Sequence, residues 1–308
     1  MSPLDEWRDS PADDPIVHLN GALVPKSEAR ISPDDRGFLF GDGVYEVVRA
    51  IDGRMVDLDR HLARLTHGAA ALDLALDRAG GAAGVAAVWA RLLDANGLAQ
   101  GEALCYAQLT RGAAPRAHAY PAAAVPPTLY AFAQPLAPPD ALRETGASVV
   151  THPDLRWARC DLKTVNLLPN VLAKQAAAAA GAFEAVLVRD GPGGGTVTEA
   201  SHSSLFAVVA GELRTHPLGP RILPGVTRAV VLELARALGV PVREEAVTLD
   251  ELRAADEVML ASTSADVMPV VAVDGRPVAG GAPGPVARGL ADAMAERLGR
   301  AALCEAAR

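Results

Sequence analysis

Lys163 is the residue whose type and neighbours most directly suggest chemistry. It is one of three lysines in the chain, and it stands in the run Cys160-Asp161-Leu162-Lys163-Thr164-Val165-Asn166-Leu167-Leu168. The apolar neighbours place its stem at the edge of a buried layer. A primary amine that is partly withdrawn from water suits a nucleophile that forms Schiff bases with carbonyl compounds. The same pattern also fits a lysine that extends from a strand end into solvent.

Glu199, in the run Thr198-Glu199-Ala200-Ser201, is the second residue with a clear chemical use. A carboxylate next to a heteroaromatic nitrogen favours the protonated form of that nitrogen. The alternative is an exposed carboxylate on a strand. Ser201 and His202 follow, but no nucleophile elbow surrounds them, so the sequence argues against a Ser-His hydrolase.

Two segments are candidate phosphate-binding sites. Gly225-Val226-Thr227 is expected to open a helix, whose free backbone N–H groups and dipole attract a dianion. Such a helix start is common, so the pattern alone does not separate phosphate binding from an ordinary helix. Gly191-Pro192-Gly193-Gly194-Gly195 lacks both the Gly-Lys-Ser/Thr ending of a P-loop and the dinucleotide-binding spacing. We interpret it as a flexible hairpin turn.

Arg116 and His118 lie two residues apart in a loop rich in Pro and Ala. An arginine and a histidine in this arrangement can bind a carboxylate through charge-assisted hydrogen bonds. The alternative is two polar loop residues that contact only water.

Composition limits the class of protein. The length of 308 residues suggests about two domains, and the net charge of −8 argues against nucleic acid or an anionic membrane as a partner. No apolar run is long enough to span a membrane. Residues 1–15, rich in Asp and Pro, lack the pattern of a signal peptide and are interpreted as a loose tail. Three widely spaced cysteines predict reduced thiols and a cytoplasmic location, and no Cys/His spacing indicates a metal site.

The elements that must position these residues follow from turn signals and periodicity. Asn20-Gly21 and Asp52-Gly53 predict two hairpins, and Asp274-Gly275 predicts a third near the C-terminus. Helical spacing predicts helices at 59–72, 83–96, 169–180, 226–238 and 285–298. Apolar runs predict strands at 103–110, 128–132, 147–151 and 183–188.

Several motifs follow one another in order around Lys163. They are Phe40-Gly41-Asp42-Gly43-Val44-Tyr45-Glu46, His61-Leu62-Ala63-Arg64-Leu65, Thr198-Glu199-Ala200-Ser201, Ile222-Leu223-Pro224-Gly225-Val226-Thr227-Arg228 and Ala261-Ser262-Thr263-Ser264-Ala265-Asp266-Val267-Met268-Pro269-Val270. This set resembles the fold type IV pyridoxal-phosphate enzymes, which include D-amino-acid aminotransferases, branched-chain aminotransferases and aminodeoxychorismate lyases. The resemblance runs from about Ile16 to about Leu298, nearly the whole chain.

The resemblance implies an α+β, two-domain fold. A disordered tail at 1–15 would precede a small α/β domain at 16–133. The proline-rich segment 134–140 would link it to a larger, pseudo-barrel domain at 141–308, which binds the cofactor.

The resemblance also implies pyridoxal 5′-phosphate as the cofactor. Lys163 would hold the cofactor aldehyde and then act as general base and acid, and Glu199 would pair with the ring nitrogen. The expected cofactor contacts are Arg64, Lys163, Glu199, Leu223, Val226, Thr227 and Thr263.

The Arg116-x-His118 pair resembles the D-amino-acid aminotransferases, in which this pair and the tyrosine that matches Tyr45 bind the substrate α-carboxylate. Tyr106 is expected to line the same pocket. The predicted reaction is transamination between a D-amino acid, such as D-alanine or D-glutamate, and a 2-oxo acid such as 2-oxoglutarate or pyruvate.

Alternatives remain open at this stage. A branched-chain L-aminotransferase, an (R)-amine transaminase and a lyase share the fold, but the Gly-x-Gly-Val-Asn-Pro and Arg-Gly-Tyr segments of the first and the last are not found. A noncatalytic cofactor-binding protein is the alternative from another class, and the presence of Lys163 together with Glu199 and Arg64 argues against it. The resemblance further implies a homodimer, in which the loop with Arg116 and His118 completes the partner's site.

Overall fold

The computed structural model describes residues 14–300, so most of the predicted tail and Cys304 lie outside the described residues. The described chain forms two compact units. The first unit contains residues 14–137 and, from further along the chain, Leu162–Leu167. The second unit contains Pro138–Asp161 and residues 168–300.

The first unit is a six-stranded antiparallel sheet with helices. Its strands are β1 (Ile16–Leu19), β2 (Ala22–Pro25), β3 (Gly43–Ile51), β4 (Arg54–Met55), β5 (Glu102–Thr110) and β6 (Thr128–Pro135), in the order β2-β1-β6-β5-β3-β4. Its helices are α1 (Arg36–Phe40), α2 (Leu58–Ala71) and α3 (Gly81–Ala95), with 3₁₀ turns at Lys26–Glu28 and Leu76–Ala79. Both hairpins predicted here are confirmed, because β1 pairs with β2 and β3 pairs with β4 across the two turns.

One apolar core holds the first unit together. Helices α2 and α3 pack against each other, and they lie on β3, β5 and β6. Trp89 and Leu92 of α3 are fully buried beside Val48 of β3 and Leu109 of β5. Full burial of side chains of this size stabilises the fold by about 1.5–3 kcal/mol each. This core gives β3 and β5 a rigid base for the side chains on their other face.

The second unit is built on a nine-stranded sheet that curls into a half-barrel. Its strands are β7 (Ala147–Pro153), β8 (Glu184–Arg189), β9 (Thr196–Ala200), β10 (Ser204–Val209), β11 (Glu212–Thr215), β12 (Val242–Glu244), β13 (Glu257–Ser262), β14 (Asp266–Val273) and β15 (Arg276–Pro277). The order is β12-β11-β10-β13-β14-β7-β8-β9, with β15 beside β14. Its helices are α4 (Asp140–Thr145), α5 (Leu168–Ala179), α6 (Val226–Ala237), α7 (Leu249–Arg253) and α8 (Pro285–Leu298).

The structure confirms most predicted elements of this unit and the α+β class. Pro169 lies in the first turn of α5, and α8 begins at Pro285 and ends at Leu298 as predicted. The glycine-rich run 191–195 connects β8 to β9, whose residues pair across it at Arg189 and Thr196. None of the helices within residues 14–300 combines the length and apolar composition that a membrane crossing requires.

Two features differ from the sequence-based expectation. The predicted linker begins at Gln134, but β6 continues to Pro135, which pairs with Ala103 of β5. A proline is tolerated there because it ends the strand, and the N–H of Leu136 bonds to Glu102. The second difference is that the segment Leu162–Leu167, expected within the larger domain, belongs to the first unit.

Candidate active site

The lysine segment is attached to the first unit by backbone hydrogen bonds to β3. The N–H of Tyr45 donates to the carbonyl of Lys163 (2.9 Å), and the N–H of Val165 donates to that of Gly43 (3.2 Å). Gly41 has a φ of +67°, and a Cβ there would lie 2.3 Å from the side-chain oxygen of Asn166. Only glycine permits this approach, which explains the glycine-rich motif before β3.

The side chain of Lys163 lies over an aromatic layer on β3, β5 and β6. Its Nζ is 4.3 Å from the ring centroid of Tyr45, within the range of a cation–π contact. Tyr45 stacks on Tyr106 at 5.6 Å, and Tyr106 stacks on Phe132 at 4.8 Å. Burial raises the pKa of Tyr106 far above its usual range, so its phenol stays neutral and donates to Gln108 (2.8 Å). The structure thus brings together three predicted residues, namely Lys163, Tyr45 and Tyr106.

Glu46, next to Tyr45 in β3, is a fully buried carboxylate with two partners on α2. Arg64 donates from Nε and Nη2 to its two oxygens at 2.9 and 2.7 Å, and His61 Nδ1 lies 3.1 Å from Oε1. Burial alone would raise the pKa of Glu46, but the charge of Arg64, the hydrogen bond from His61 and the charge of Lys163 hold it well below its usual range. Arg64 is therefore a paired and mostly buried cation rather than part of a solvated helix face.

Arg116 and His118 lie exposed on the loop between β5 and β6. Both pack on one ring: the guanidinium carbon of Arg116 is 5.2 Å from the centroid of Phe40, and the His118 ring is 5.6 Å from it. The loop therefore presents one guanidinium and one imidazole from a shared aromatic base.

In the second unit, Glu199 lies in β9 and is buried among polar partners. Arg156 Nη1 donates to its Oε1, and the backbone N–H of Leu223 donates to both of its oxygens (3.2 and 3.3 Å). Leu223, expected among the cofactor contacts, thus has its N–H directed at Glu199.

Arg156 is shared between two carboxylates. Its Nε and Nη2 also donate to Asp154 at 2.9 Å each, and Asp154 accepts further bonds from Arg189 and Thr198. Burial is the largest influence on the pKa of Glu199 and raises it; Arg156 opposes this shift, and Asp154 adds to it. Asp154 itself is buried, yet Arg156, Arg189 and Thr198 hold its pKa below its usual range. The shared arginine therefore leaves Glu199 with less positive charge than Glu46 has.

Helix α6 begins with backbone N–H groups that lack a side-chain cap. Gly225 is its N-cap, so Val226 and Thr227 present their N–H groups at the helix start. A Cβ at Gly225 would lie 2.7 Å from the hydroxyl of Ser204, so a larger residue there would force this side chain to shift. Thr263 lies in the turn after β13, against which α6 packs. This arrangement offers backbone donors and hydroxyl groups to an anion.

The networks around Arg64 and Glu199 contain ionisable residues that were not among the candidate site residues, namely Glu46, His61, Asp154, Arg156 and Arg189. For Glu46 and His61 the sequence holds a signal. Glu46 shares one face of β3 with Val44, Val48 and Ala50, which are apolar, so the alternation predicts that its carboxylate is buried. A buried carboxylate needs cationic partners. His61 and Arg64 stand three residues apart, on one face of a helix. Asp154 and Arg156 pair with each other two residues apart, but nothing local indicates their further partners, because Arg189, Thr198 and Glu199 come from distant parts of the chain.

Comparison with known proteins identifies the family. The family described as Amino-transferase class IV matches residues 43–273. A D-alanine aminotransferase of Bacillus licheniformis is 42% identical over 278 residues, which cover 90% of this chain and 95% of that protein.

Solved structures show the same fold. The T.th. branched-chain amino acid aminotransferase in complex with N-(5′-phosphopyridoxyl)-L-glutamate superposes with a TM-score of 0.79 at 29% identity, covering 92% of this chain and 94% of that one. A branched-chain amino acid aminotransferase of Escherichia coli gives a TM-score of 0.82 at 24% identity, covering 90% and 92%, and supports the fold alone.

Proposed function

Because the chain belongs to the class IV aminotransferase family, we propose that it uses pyridoxal 5′-phosphate to transfer amino groups from D-amino acids to 2-oxo acids. D-alanine and D-glutamate are the expected donors, and 2-oxoglutarate and pyruvate the expected acceptors. The observation that carries this proposal is the position of Lys163. Its amine lies over Tyr45, the tyrosine expected to bind the substrate carboxylate.

The residues present fit this cofactor. Lys163 is an amine for the cofactor aldehyde, and Glu199 is a buried carboxylate for the ring nitrogen. The start of α6, whose N-cap Gly225 offers no side-chain cap, suits the phosphate, together with Thr227 and Thr263. Arg64 would supply a cation for the phosphate. When bound, the cofactor supplies a ring that withdraws electrons from the substrate Cα.

Each protein group then has a defined role. Lys163 Nζ accepts the α-proton of the substrate and later returns a proton, as general base and acid. Glu199 would keep the ring nitrogen of the cofactor protonated. Arg156 holds the Glu199 carboxylate in place through a charge-assisted hydrogen bond. Glu46 positions Arg64 by accepting hydrogen bonds from Nε and Nη2.

Substrate selection is assigned to the loop with Arg116 and His118, together with the aromatic face of Tyr45 and Tyr106. A guanidinium and an imidazole on one aromatic base can bind a carboxylate from two directions. A small D-amino acid would then contact the two tyrosine rings with its side chain.

A substrate panel tests this function directly. The purified protein is incubated with D- and L-amino acids and 2-oxoglutarate, and each keto acid product is quantified. D-alanine and D-glutamate should be better donors than L-leucine or L-valine. A preference for the branched L-amino acids would support the branched-chain reaction named for the solved relatives. Activity on (R)-amines without a carboxylate would support the second alternative, and no product from any donor would support a noncatalytic protein.

We also propose a homodimer whose active sites share residues, as the loop with Arg116 and His118 is expected to complete the partner's site. Lys163→Ala and Arg116→Ala, each nearly inactive on D-alanine, are mixed under conditions that allow subunit exchange. A mixed dimer would contain one site with both residues intact, so activity should rise to about a quarter of wild type. Confirmed exchange without a rise in activity would contradict shared sites.

A cytoplasmic location completes the proposal. Cys105 and Cys160 are buried free thiols, which is typical of proteins from a reducing compartment. Fractionation of the source cells tests this, and recovery of the protein outside the cytoplasmic fraction would contradict it.

A further inference from the structure

Arg36 is a buried arginine whose guanidinium is directed at the loop that carries Arg116 and His118. It is the first residue of α1 and only 3% exposed. Nη1 donates to the carbonyls of Ala117 (2.6 Å) and Ala119 (3.3 Å), and Nη2 donates to that of His118 (3.3 Å). One side chain therefore binds three successive carbonyls of the loop.

The same arginine is fixed from behind by Asp42. Arg36 Nε donates to Asp42 Oδ2 (2.8 Å), and Arg111, at the base of the loop, donates to both Asp42 oxygens at 2.8 and 3.1 Å. Burial raises the pKa of Asp42, but the hydrogen bonds and charges of Arg111 and Arg36 outweigh it and hold this pKa below its usual range. The Asp42 carboxylate thus stays charged and links Arg111, at the start of the loop, to Arg36, which binds the loop at residues 117–119.

Backbone hydrogen bonds fix the first part of this loop. The N–H of Arg36 donates to the carbonyl of Gly112 (2.9 Å), and the N–H of Ala114 donates to that of Asp34 (3.2 Å). Beyond Ala114, the guanidinium of Arg36 bonds the carbonyls at 117–119 and also lies 4.8 Å from the centroid of Phe40. That ring is the one on which Arg116 and His118 pack.

We propose that Arg36 is a positioning residue for substrate binding, which holds residues 117–119 so that Arg116 and His118 are arranged on Phe40 before the substrate carboxylate arrives. This inference rests on the proposed role of Arg116 and His118. A loop that is ordered in advance loses less conformational entropy on binding, so its effect appears in substrate affinity rather than in the chemical step.

Arg36→Lys in the holoenzyme tests the role. Lysine keeps a positive charge for Asp42, but it cannot reproduce the planar fork that reaches three carbonyls. The KM for D-alanine should rise about tenfold while kcat stays within about twofold, because the lost charge-assisted bonds serve binding only. Tryptic cleavage after Arg116, measured by mass spectrometry, should become faster. The melting temperature of the protein should stay unchanged.

Arg30→Lys is the matched control. Arg30 is also an arginine of the first unit that donates to backbone carbonyls, but it lies exposed, and the carbonyls are those of its own neighbours Ser27 and Ala29 rather than of the loop. Both variants replace one trypsin site by another, so their cleavage patterns can be compared directly. Arg30→Lys should match the wild type in KM and in cleavage.

The outcomes separate this inference from the proposed function. If Arg116→Ala raises KM but Arg36→Lys does not, Arg36 has no positioning role. If Arg36→Lys lowers kcat or thermal stability without changing KM, its role is structural only. If Arg116→Ala leaves KM unchanged, the substrate role of the loop fails, and the inference fails with it. Should Arg36→Lys not fold, Asp42→Asn replaces it, and an unchanged KM there contradicts the proposal.

Discussion

Two buried glutamates, Glu46 in the first unit and Glu199 in the second, have opposite electrostatic surroundings. Glu46 has Arg64 and His61 as direct partners and feels the charge of Lys163. Within the described part of the chain, Glu199 has one cation as a direct partner, and that cation, Arg156, is shared with Asp154. Accordingly the pKa of Glu46 lies well below its usual range, whereas burial raises that of Glu199.

The difference indicates two tasks for one residue type. A carboxylate with surplus positive charge around it remains ionised and positions its cations, as Glu46 does for Arg64. A carboxylate with too little positive charge gains from a further cation beside it, and a protonated ring nitrogen is such a cation. Four predictions are ordered from the largest expected effect to the smallest: the first concerns Lys163, and the other three test this division.

Lys163→Ala removes the amine that lies near Glu46 and is expected to carry the chemistry. Transamination should fall by about 10⁴-fold or more, since both the nucleophile and the proton carrier are lost. Borohydride reduction of the wild-type holoenzyme followed by peptide mapping should place the cofactor on Lys163, and the variant should carry no label. A label on Lys26 or Lys174 would overturn the assignment.

Glu199→Gln should retain the cofactor but lower the transamination rate by about 10²–10³-fold, because a neutral amide does not hold a proton on the ring nitrogen. Single-turnover spectra with D-alanine measure the proton-transfer step. The control is Glu184→Gln, another buried glutamate of the same unit, which accepts N–H bonds from His202 (2.6 Å) and Ser203 (3.0 Å). That control should lose stability without losing this step, and equal losses in both variants would make Glu199 structural.

Glu46→Gln should act mainly on stability, in contrast to Glu199→Gln. Removing the charge takes the carboxylate away from the mostly buried guanidinium of Arg64, which costs about 3 kcal/mol or more. Urea unfolding of the cofactor-free proteins measures the loss. If Glu46→Gln is as stable as the wild type but abolishes proton transfer, the two glutamates have the opposite roles.

The pH dependence of stability should separate the two glutamates by sign. The pKa of Glu46 is lowered from 4.5, so its stabilisation is present above that pH and is lost as pH falls below it. The pKa of Glu199 is raised from 4.5, so its contribution is present below that pH and is lost as pH rises through the raised value.

Urea unfolding at several pH values measures both contributions in cofactor-free protein. Relative to Glu46→Gln, the wild type should lose stability as pH falls below 4.5; relative to Glu199→Gln, it should lose stability as pH rises above 4.5. Slopes of the same sign for both variants would contradict the comparison.

Much of the fold could be predicted from the sequence, because its signals are local. Asn-Gly and Asp-Gly turns allow a positive φ. The residue before each glycine adopts it, with φ of 50° at Asn20 and 48° at Asp52. Helix α8 has a proline at its first turn and Gly299 after its end, and its bounds agree with the prediction to the residue. The end of β6 was missed because Pro135 is a turn signal locally, whereas its pairing with Ala103 depends on a distant strand.

The amino-acid sequence by itself determined which chemistry is available: an amine at Lys163, a carboxylate at Glu199, a helix start at Gly225 and an arginine–histidine pair in one loop. These are properties of residue types and short spacings. Only the tertiary structure decided how each group is charged and held. Glu46 and Arg64 are 18 residues apart, Arg156 and Glu199 are 43 apart, and Arg36 and Ala117 are 81 apart. The pKa of a buried carboxylate depends on the cations that such long-range folding places around it, and no local pattern encodes that environment.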